Sequence, residues 1–321
     1  LFLPACRIFT VFLFMEYFLG IDIGGNHVKT AIVAEDGSIK DFQSYSTAKM
    51  RESGEFISAL LEAIAFRLLN HKEIRKAGIG LPGMISRDRS TPIDISSIPE
   101  LNHQPLLRLL EERFPEMEFV LENDANAAAL GELLFSRKNL PETFAFITLG
   151  TGIGSAFVLD GKIFTGGDGN GLELGHIPSR NGRHLEANIG KQGLISLAAL
   201  RLIEFRGNTL IAKDEPVSAT KLVVAASEGD VFAQSVFFEV GEILGEGLVA
   251  LIRILDVKTI VVGGGLSASF DYLKPGVIRI LNHLLPGYYC NALDFRLASL
   301  GNDAGVLGAA ALCSHRSRNF V

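Results

Sequence analysis

Apolar and polar positions along the chain fall into short runs whose spacing separates strands from helices. From Tyr17 the pattern reads strand, glycine turn, strand: YFLGID, then IGGN, then HVKTAIVAE. Asp36-Gly37 follows, a dipeptide suited to a tight hairpin because it tolerates positive φ, and leads into a third extended stretch, SIKDFQSYS. The same pattern returns at Thr143 as TFAFITL, the turn GTGIG, SAFVLD, the hairpin pair Asp160-Gly161, and KIFTG. Gly24 and Gly150 stand 126 residues apart, and Asp36 and Asp160 stand 124 apart. One β-meander with a glycine-rich first turn therefore occurs twice, at a period far too long for a solenoid.

Helical periodicity fills the intervals. Residues 54–70 place Phe56, Ile57, Leu60, Leu61, Ile64, Leu68 and Leu69 on one helical face. KAGIGLPG reads as a strand, and EFVLEN as another that runs into the alanine-rich helix DANAAALGELLF. Residues 235–255 predict a long helix ahead of the buried strand VKTIVVGGG. The alternation predicts an α/β fold with a sheet in each half.

Length agrees: 321 residues is about twice a typical single domain. We expect a smaller N-terminal domain over 15–122, a larger C-terminal domain over 123–304, and a helix over 305–321 packing back on the first. Residues 1–14, almost wholly apolar apart from Arg7, have the look of a signal-peptide core. The chain begins with Leu and shows no small-residue cleavage site before Tyr17, so Met15 is the expected start and 1–14 an upstream extension. No other apolar run reaches the roughly 20 residues of a membrane span. The balance of 30 Lys+Arg against 36 Asp+Glu lacks the basic footprint of a nucleic-acid binder. Cys6, Cys290 and Cys313 are too few and too scattered for a disulfide framework or a four-cysteine zinc site; a reducing, cytoplasmic setting is expected.

Glycine is in excess, 34 residues where average usage gives roughly 22. The turn at Asp22, Gly24, Gly25 and Asn26 is either an ordinary tight hairpin or a nest of backbone N–H groups converging on phosphate. In the second reading Asp22 would hold a metal-bound water beside the phosphates. Gly150, Thr151, Gly152 and Gly154 make a second such turn, and two at equivalent places suit a clamp on a polyphosphate. Asn123-Asp124, after a strand and ahead of a helix, serves equally as a cap or as a base at the strand end where α/β folds bind ligands. Glu173 and His176 sit in a loop with five glycines from Gly166 to Gly175. That loop suits sugar-hydroxyl recognition, a metal site or plain solvated chain. Gly263, Gly264 and Gly265 suit either adenine against backbone or close strand–helix packing. The literal Gly-x-Gly-x-x-Gly at Gly78, Gly80 and Gly83 is interrupted by Pro82 and opens no helix, so it is not a dinucleotide fingerprint; these glycines are expected to shape a loop near the cleft. Thirteen glycines fall in the two turns, the loop and the triple glycine.

Taken together, LGIDIGGNHVKT, LENDANAAALGE, ITLGTGIGSAFV, GLELGHIP, IVVGGGLS and LGNDAGVLGAAAL resemble, in order, the ROK family (repressors, open reading frames, kinases) of the sugar-kinase/actin/Hsp70 superfamily. The resemblance implies a two-domain actin-like, ribonuclease H-like ATPase fold with a ligand cleft between the domains. It implies an ATP-dependent hexose 6-kinase with Mg²⁺ arriving on ATP, glucose as the default sugar, and a homodimer. Asp124 falls on the family's catalytic base, and Asn123, Asp124, Glu173 and His176 on its sugar-binding positions. Glu186, in HLEANIG, matches a further sugar contact. The two glycine turns match its phosphate loops, and Gly263 to Gly265 its adenosine motif.

Two departures stand out. The family's zinc loop, Cys-x-Cys-Gly-x-x-Gly-Cys, is replaced by IPSRNGRH without a cysteine, so no zinc is expected and His176 is left to contact sugar. The first turn carries Asn26 where the family usually has Thr, retaining a polar donor. The family's repressors carry a helix-turn-helix domain ahead of the first turn, for which Asp22 leaves no room. Kinases for allose, N-acetylmannosamine, mannose or fructose, and a non-catalytic sugar-binding regulator, are the alternatives.

Overall fold

Strands β1 (Tyr17–Ile23), β2 (His27–Ala34) and β3 (Ile39–Ser46) form the first meander of a computed structural model that describes residues 15–52 and 54–314. The expected extension 1–14, Cys6 and residues 315–321 lie outside those residues, and the helix expected over 305–321 ends at Ala311. β4 (Lys76–Leu81) follows the helix Phe56–Asn70. The short pair β5 (Met84–Ile85) and β6 (Pro92–Asp94) precedes β7 (Glu118–Asn123). The first sheet runs β3-β2-β1-β4-β7, with β1 and β7 both parallel to β4.

The second half repeats this plan. β8 (Phe144–Leu149), β9 (Ile153–Leu159) and β10 (Lys162–Ile163) form its meander, and β11 (Thr259–Gly263) and β12 (Asp294–Leu297) add two parallel strands. Its order, β10-β9-β8-β11-β12, matches the first sheet position for position. The logic is local: short turns force antiparallel neighbours, whereas parallel strands need a helical crossover. This is the α/β, two-domain actin-like fold that the sequence led us to expect. Among the described residues no helix is long and apolar enough to cross a membrane.

Several local expectations need correction. Helix Phe56–Asn70 buries Phe56, Leu60, Ala63 and Ile64, but its last inward position is taken by Arg67, and Leu69 is 67% exposed. Asp41 on β3 explains this, because it accepts a hydrogen bond from Arg67 Nη1 at 2.8 Å and lies 2.9 Å from His71 Nε2. The long helix starts at Val231 rather than at 235, since Asp230 caps it by accepting from the Ala233 N–H at 2.7 Å. Gly78 and Gly80 lie in β4 rather than in a loop, and only Gly83, at φ +75°, shapes one.

The C-terminal helix, Ala304–Ala311, is where the halves meet. It packs on β1 and β4 on one side and on helix Asp124–Phe135 on the other. Both approaches are backbone to backbone. A Cβ on Gly20 or Gly78 would collide with the carbonyl oxygens of Val306 and Ala309, and one on Gly308 with that of Ala127. A Cβ on Gly131 would stand 2.6 Å from the Ala304 carbonyl oxygen.

Helix propensity alone favours Gly308→Ala by about 1 kcal/mol. Packing reverses the sign: the substitution should destabilise the protein by about 3 kcal/mol, read as a lower urea midpoint. Gly265→Ala, which meets open space, should stay within about 0.5 kcal/mol of the parent. A Gly308→Ala variant as stable as the parent would show that this approach has slack.

Candidate active site

β7 ends at Asn123 and the helix begins at Asp124. Asn123 is the cap: its Oδ1 accepts from the N–H groups of Ala125 at 2.9 Å and Asn126 at 3.1 Å. Its Nδ2 donates to the Gly83 carbonyl at 3.2 Å, tying the helix start to the loop after β4. Asp124 Oδ1 accepts from the Ala125 N–H at 2.8 Å. Loss of water around its carboxyl, then the negative charges of Asp22 and Glu173, push it up to about 7 against that hydrogen bond.

Asp22 stands at the end of β1, in register with Gly80 on β4. A Cβ on Gly80 would lie 3.5 Å from the Asp124 Cα, an ordinary contact, so β4 sets the helix start beside Asp22 without depending on a bare position here. About a fifth of the Asp22 side chain still meets solvent, yet burial raises its carboxyl above the ordinary range. Lys29, its β2 partner, opposes that from 3.8 Å and donates to the Asn302 carbonyl at 2.7 Å.

The two glycine turns touch. Asn26 Nδ2 donates to Thr151 Oγ1 at 3.1 Å across 125 residues of sequence. In the first turn the Gly24 N–H donates to the His27 carbonyl, and Thr47 Oγ1 donates to the Gly24 carbonyl; Gly25 faces Ser97. In the second, the Gly150 N–H donates to the Gly152 carbonyl at 2.9 Å. Glu186 lies beneath this turn: its Oε2 accepts from the Ile153 N–H at 2.8 Å, and a Cβ on Gly152 would strike that oxygen. Gly150 borders open space.

Glu173 and His176 come from the glycine-rich loop, with His176 Nε2 3.9 Å from Glu173 Oε2. Burial, with repulsion from Glu186, raises the Glu173 carboxyl, and His176 opposes the shift. Asp22, Asp124, Glu173 and Glu186 thus form a run of carboxylates, each within electrostatic reach of the next. Among the described residues no group of three or more His, Cys, Asp or Glu could hold a metal ion. The cysteine-free interval is tied by protein groups instead. Arg180 Nε donates to both Glu246 carboxylate oxygens at 3.0 Å, and Asn188 Nδ2 donates to the Arg180 carbonyl at 2.9 Å. His184 Nδ1 lies 3.0 Å from the His176 carbonyl oxygen.

The triple glycine divides. Gly263 packs under Phe146, and Gly264, at φ +85°, lies against the backbone of Leu149; Gly265 alone opens to space. A cavity of about 800 Å³ lined by His27, Tyr45, Lys49 and Glu62 opens off β3, away from Asp124. Four residues that the motifs did not single out also belong here. They are Lys29 beside Asp22, Glu122 behind the helix start, and Arg89 and Asn170 between the halves. Glu122 adjoins the Asn-Asp pair and Asn170 lies in the glycine-rich loop, so their positions were usable signals; Arg89 carried none.

A family model for the ROK family matches residues 18–316. A glucokinase from Halalkalibacterium halodurans is 30% identical, over 95% of this chain and 97% of its own. A solved structure from Cytophaga hutchinsonii superposes with a TM-score of 0.83 at 36% identity, covering 92% of this chain and 99% of that one. The ROK glucokinase of Streptomyces griseus, solved with glucose and AMPPNP, gives a TM-score of 0.77 at 27% identity over 92% and 99%. With the matched turns, the Asn-Asp helix start and the repeated sheet in place, the chain belongs to the ROK family.

Proposed function

We propose that this protein is a sugar kinase that transfers the γ-phosphate of Mg·ATP to the 6-hydroxyl of a hexose, with glucose the first candidate. The observation that carries the reading is Asp124, a recessed carboxylate raised to about 7, beside two glycine turns that meet at Asn26 and Thr151. A base with that affinity takes a hydroxyl proton near neutral pH without holding it too tightly.

In the proposed step Asp124 accepts the 6-hydroxyl proton as that oxygen attacks the γ-phosphorus. The bond from the γ-phosphorus to the bridging oxygen breaks, and ADP leaves carrying the electron pair. Phosphoryl transfer asks mainly for positioning and charge neutralisation. Backbone around Gly24, Gly25, Gly150 and Gly152, with Asn26 and Thr151, would hold the phosphates, and the open face at Gly265 would take the adenosine. Asp22 would face the Mg²⁺ that arrives on ATP. Asn123, Glu173, His176 and Glu186 would read sugar hydroxyls. Glu186 also anchors the second turn through Ile153, which would link sugar position to phosphate position.

The test is ADP release from Mg·ATP with glucose, mannose, allose, fructose, N-acetylglucosamine and N-acetylmannosamine. At least one should stimulate release, and Asp124→Asn should lower kcat about a thousandfold. Sugar binding without turnover by any of them would make the protein a regulator instead. Activity should follow the ionised base, with kcat/KM rising with pH and levelling off above about 7; a profile flat from pH 5 to 8 would remove Asp124 from that role.

The same raised carboxyl has a stability signature. Because the folded state holds the Asp124 proton more tightly than the unfolded chain, stability should fall as pH climbs from about 4 to 7 and then level. Asp124→Asn keeps the acceptor for Ala125 and removes the charge. It should match the parent near pH 4 and exceed it by about 4 kcal/mol at pH 8, measured by urea unfolding. Equal stability at both pH values would show that the charge carries no folding cost.

A further inference from the structure

The hairpin β5–β6 and the loop of residues 166–175 come from different halves of the molecule, yet they are clasped together. The Asn170 side chain pairs with the backbone of Ile85 in both directions: the Ile85 N–H donates to Oδ1 at 3.0 Å, and Nδ2 donates to the Ile85 carbonyl at 3.0 Å. Beside it Arg89 Nη2 donates to the Gly169 carbonyl at 2.7 Å. Arg87 lies 3.6 Å from Asp168, but both side chains are more than 80% exposed, and such a pair holds little.

Arg89 reaches in a second direction. The same Nη2 lies 3.2 Å from Glu122 Oε1, and Glu122 is 3% exposed. That oxygen accepts from the Asn123 N–H at 2.8 Å and from Asn126 Nδ2 at 3.1 Å. A continuous run of polar contacts therefore joins the loop carrying Glu173 and His176 to the backbone immediately before Asp124.

Arg89 is kept there at a cost. Its φ of 57° is left-handed, a conformation that glycine takes freely and arginine does not, and its Nη1 is buried with no hydrogen-bond partner. For the backbone turn alone, glycine would be the better residue. The gain must lie in the side chain, and its contacts are Gly169 and Glu122.

We propose that Arg89 is a positioning residue for phosphoryl transfer, holding the loop of Glu173 and His176 in register with the Asp124 helix start through Glu122. This rests on the hexose-kinase reading. The bridge fixes the distance between the groups that read the sugar and the group that takes its proton. It acts on the sugar side and leaves the two phosphate turns untouched.

Arg89→Gly, Arg89→Lys and Asn170→Ala in the full chain test this. Arg89→Gly should raise the KM for the responding sugar about tenfold, the loss expected for one charge-assisted bond, and lower kcat. Its KM for Mg·ATP should stay within about twofold, and its melting temperature should fall only modestly, because the relaxed backbone offsets part of the cost of leaving Glu122 without its cation. Arg89→Lys, which keeps the charge but not both contacts, should fall between parent and Arg89→Gly. Asn170→Ala combined with Arg89→Gly should cost less than the two separate losses together. An unchanged sugar KM overturns the proposal, and so does an equal rise in both KM values, which marks a general structural defect. Amide exchange in the sugar-free protein separates the two readings. Arg89→Lys should speed exchange severalfold both in residues 168–173 and in 123–126, whatever the parent phosphorylates; faster exchange in neither or only one segment overturns the coupling. A parent that turns over no hexose defeats the kinase reading and leaves that exchange result standing.

Discussion

The close approach of helix Ala304–Ala311 to both β1–β4 and helix Asp124–Phe135 sets the rest of the site. Bare backbone at Gly20, Gly78, Gly131 and Gly308 lets these four elements lie nearer than side chains permit. The same helix crowds one side of Asp22, since a Cβ on Gly305 would lie 2.7 Å from that carboxylate. Asp22 is only partly open to solvent, and its charge helps to raise Asp124. Packing at the junction and the proton affinity of the proposed base are thus one arrangement.

That arrangement gathers like charges. Asp22, Asp124, Glu173 and Glu186 repel one another, and the counterweights are sparse. Lys29 faces Asp22, His176 faces Glu173, and the Ile153 N–H binds Glu186. The cysteine-free segment is fastened by protein groups, Arg180 on Glu246 and Asn188 on the Arg180 carbonyl.

Much of this was legible in the sequence where the signal is local. Strand periodicity and two glycine turns gave the repeated meander, and both sheets then adopt one strand order. The Asn123 cap could be read from residue type, and it serves as a cap while presenting Asp124. What depends on distant partners was not legible. Arg67 fills a core position because Asp41, on another element, accepts its hydrogen bond. The glycine excess looked like ligand-contact surface. In the structure Gly152, Gly263 and Gly264 have packing reasons, and Gly20, Gly78, Gly131 and Gly308 join them for helix approach. Even the matched Asp-Gly hairpins differ: Asp160 and Gly161 both have positive φ, whereas at Asp36-Gly37 only the glycine does. Arg89 stands in a polar stretch with no periodicity, and only the folded chain brings it to Gly169 and Glu122.

The junction itself tunes Asp124. The most direct measurement is the carboxyl ¹³C titration of Asp124, assigned by its disappearance in Asp124→Asn, in the protein without substrates. The midpoint should lie near 7 and shift downward when Asp22→Asn removes the neighbouring charge. A midpoint near 4, unmoved by Asp22→Asn, would contradict that tuning.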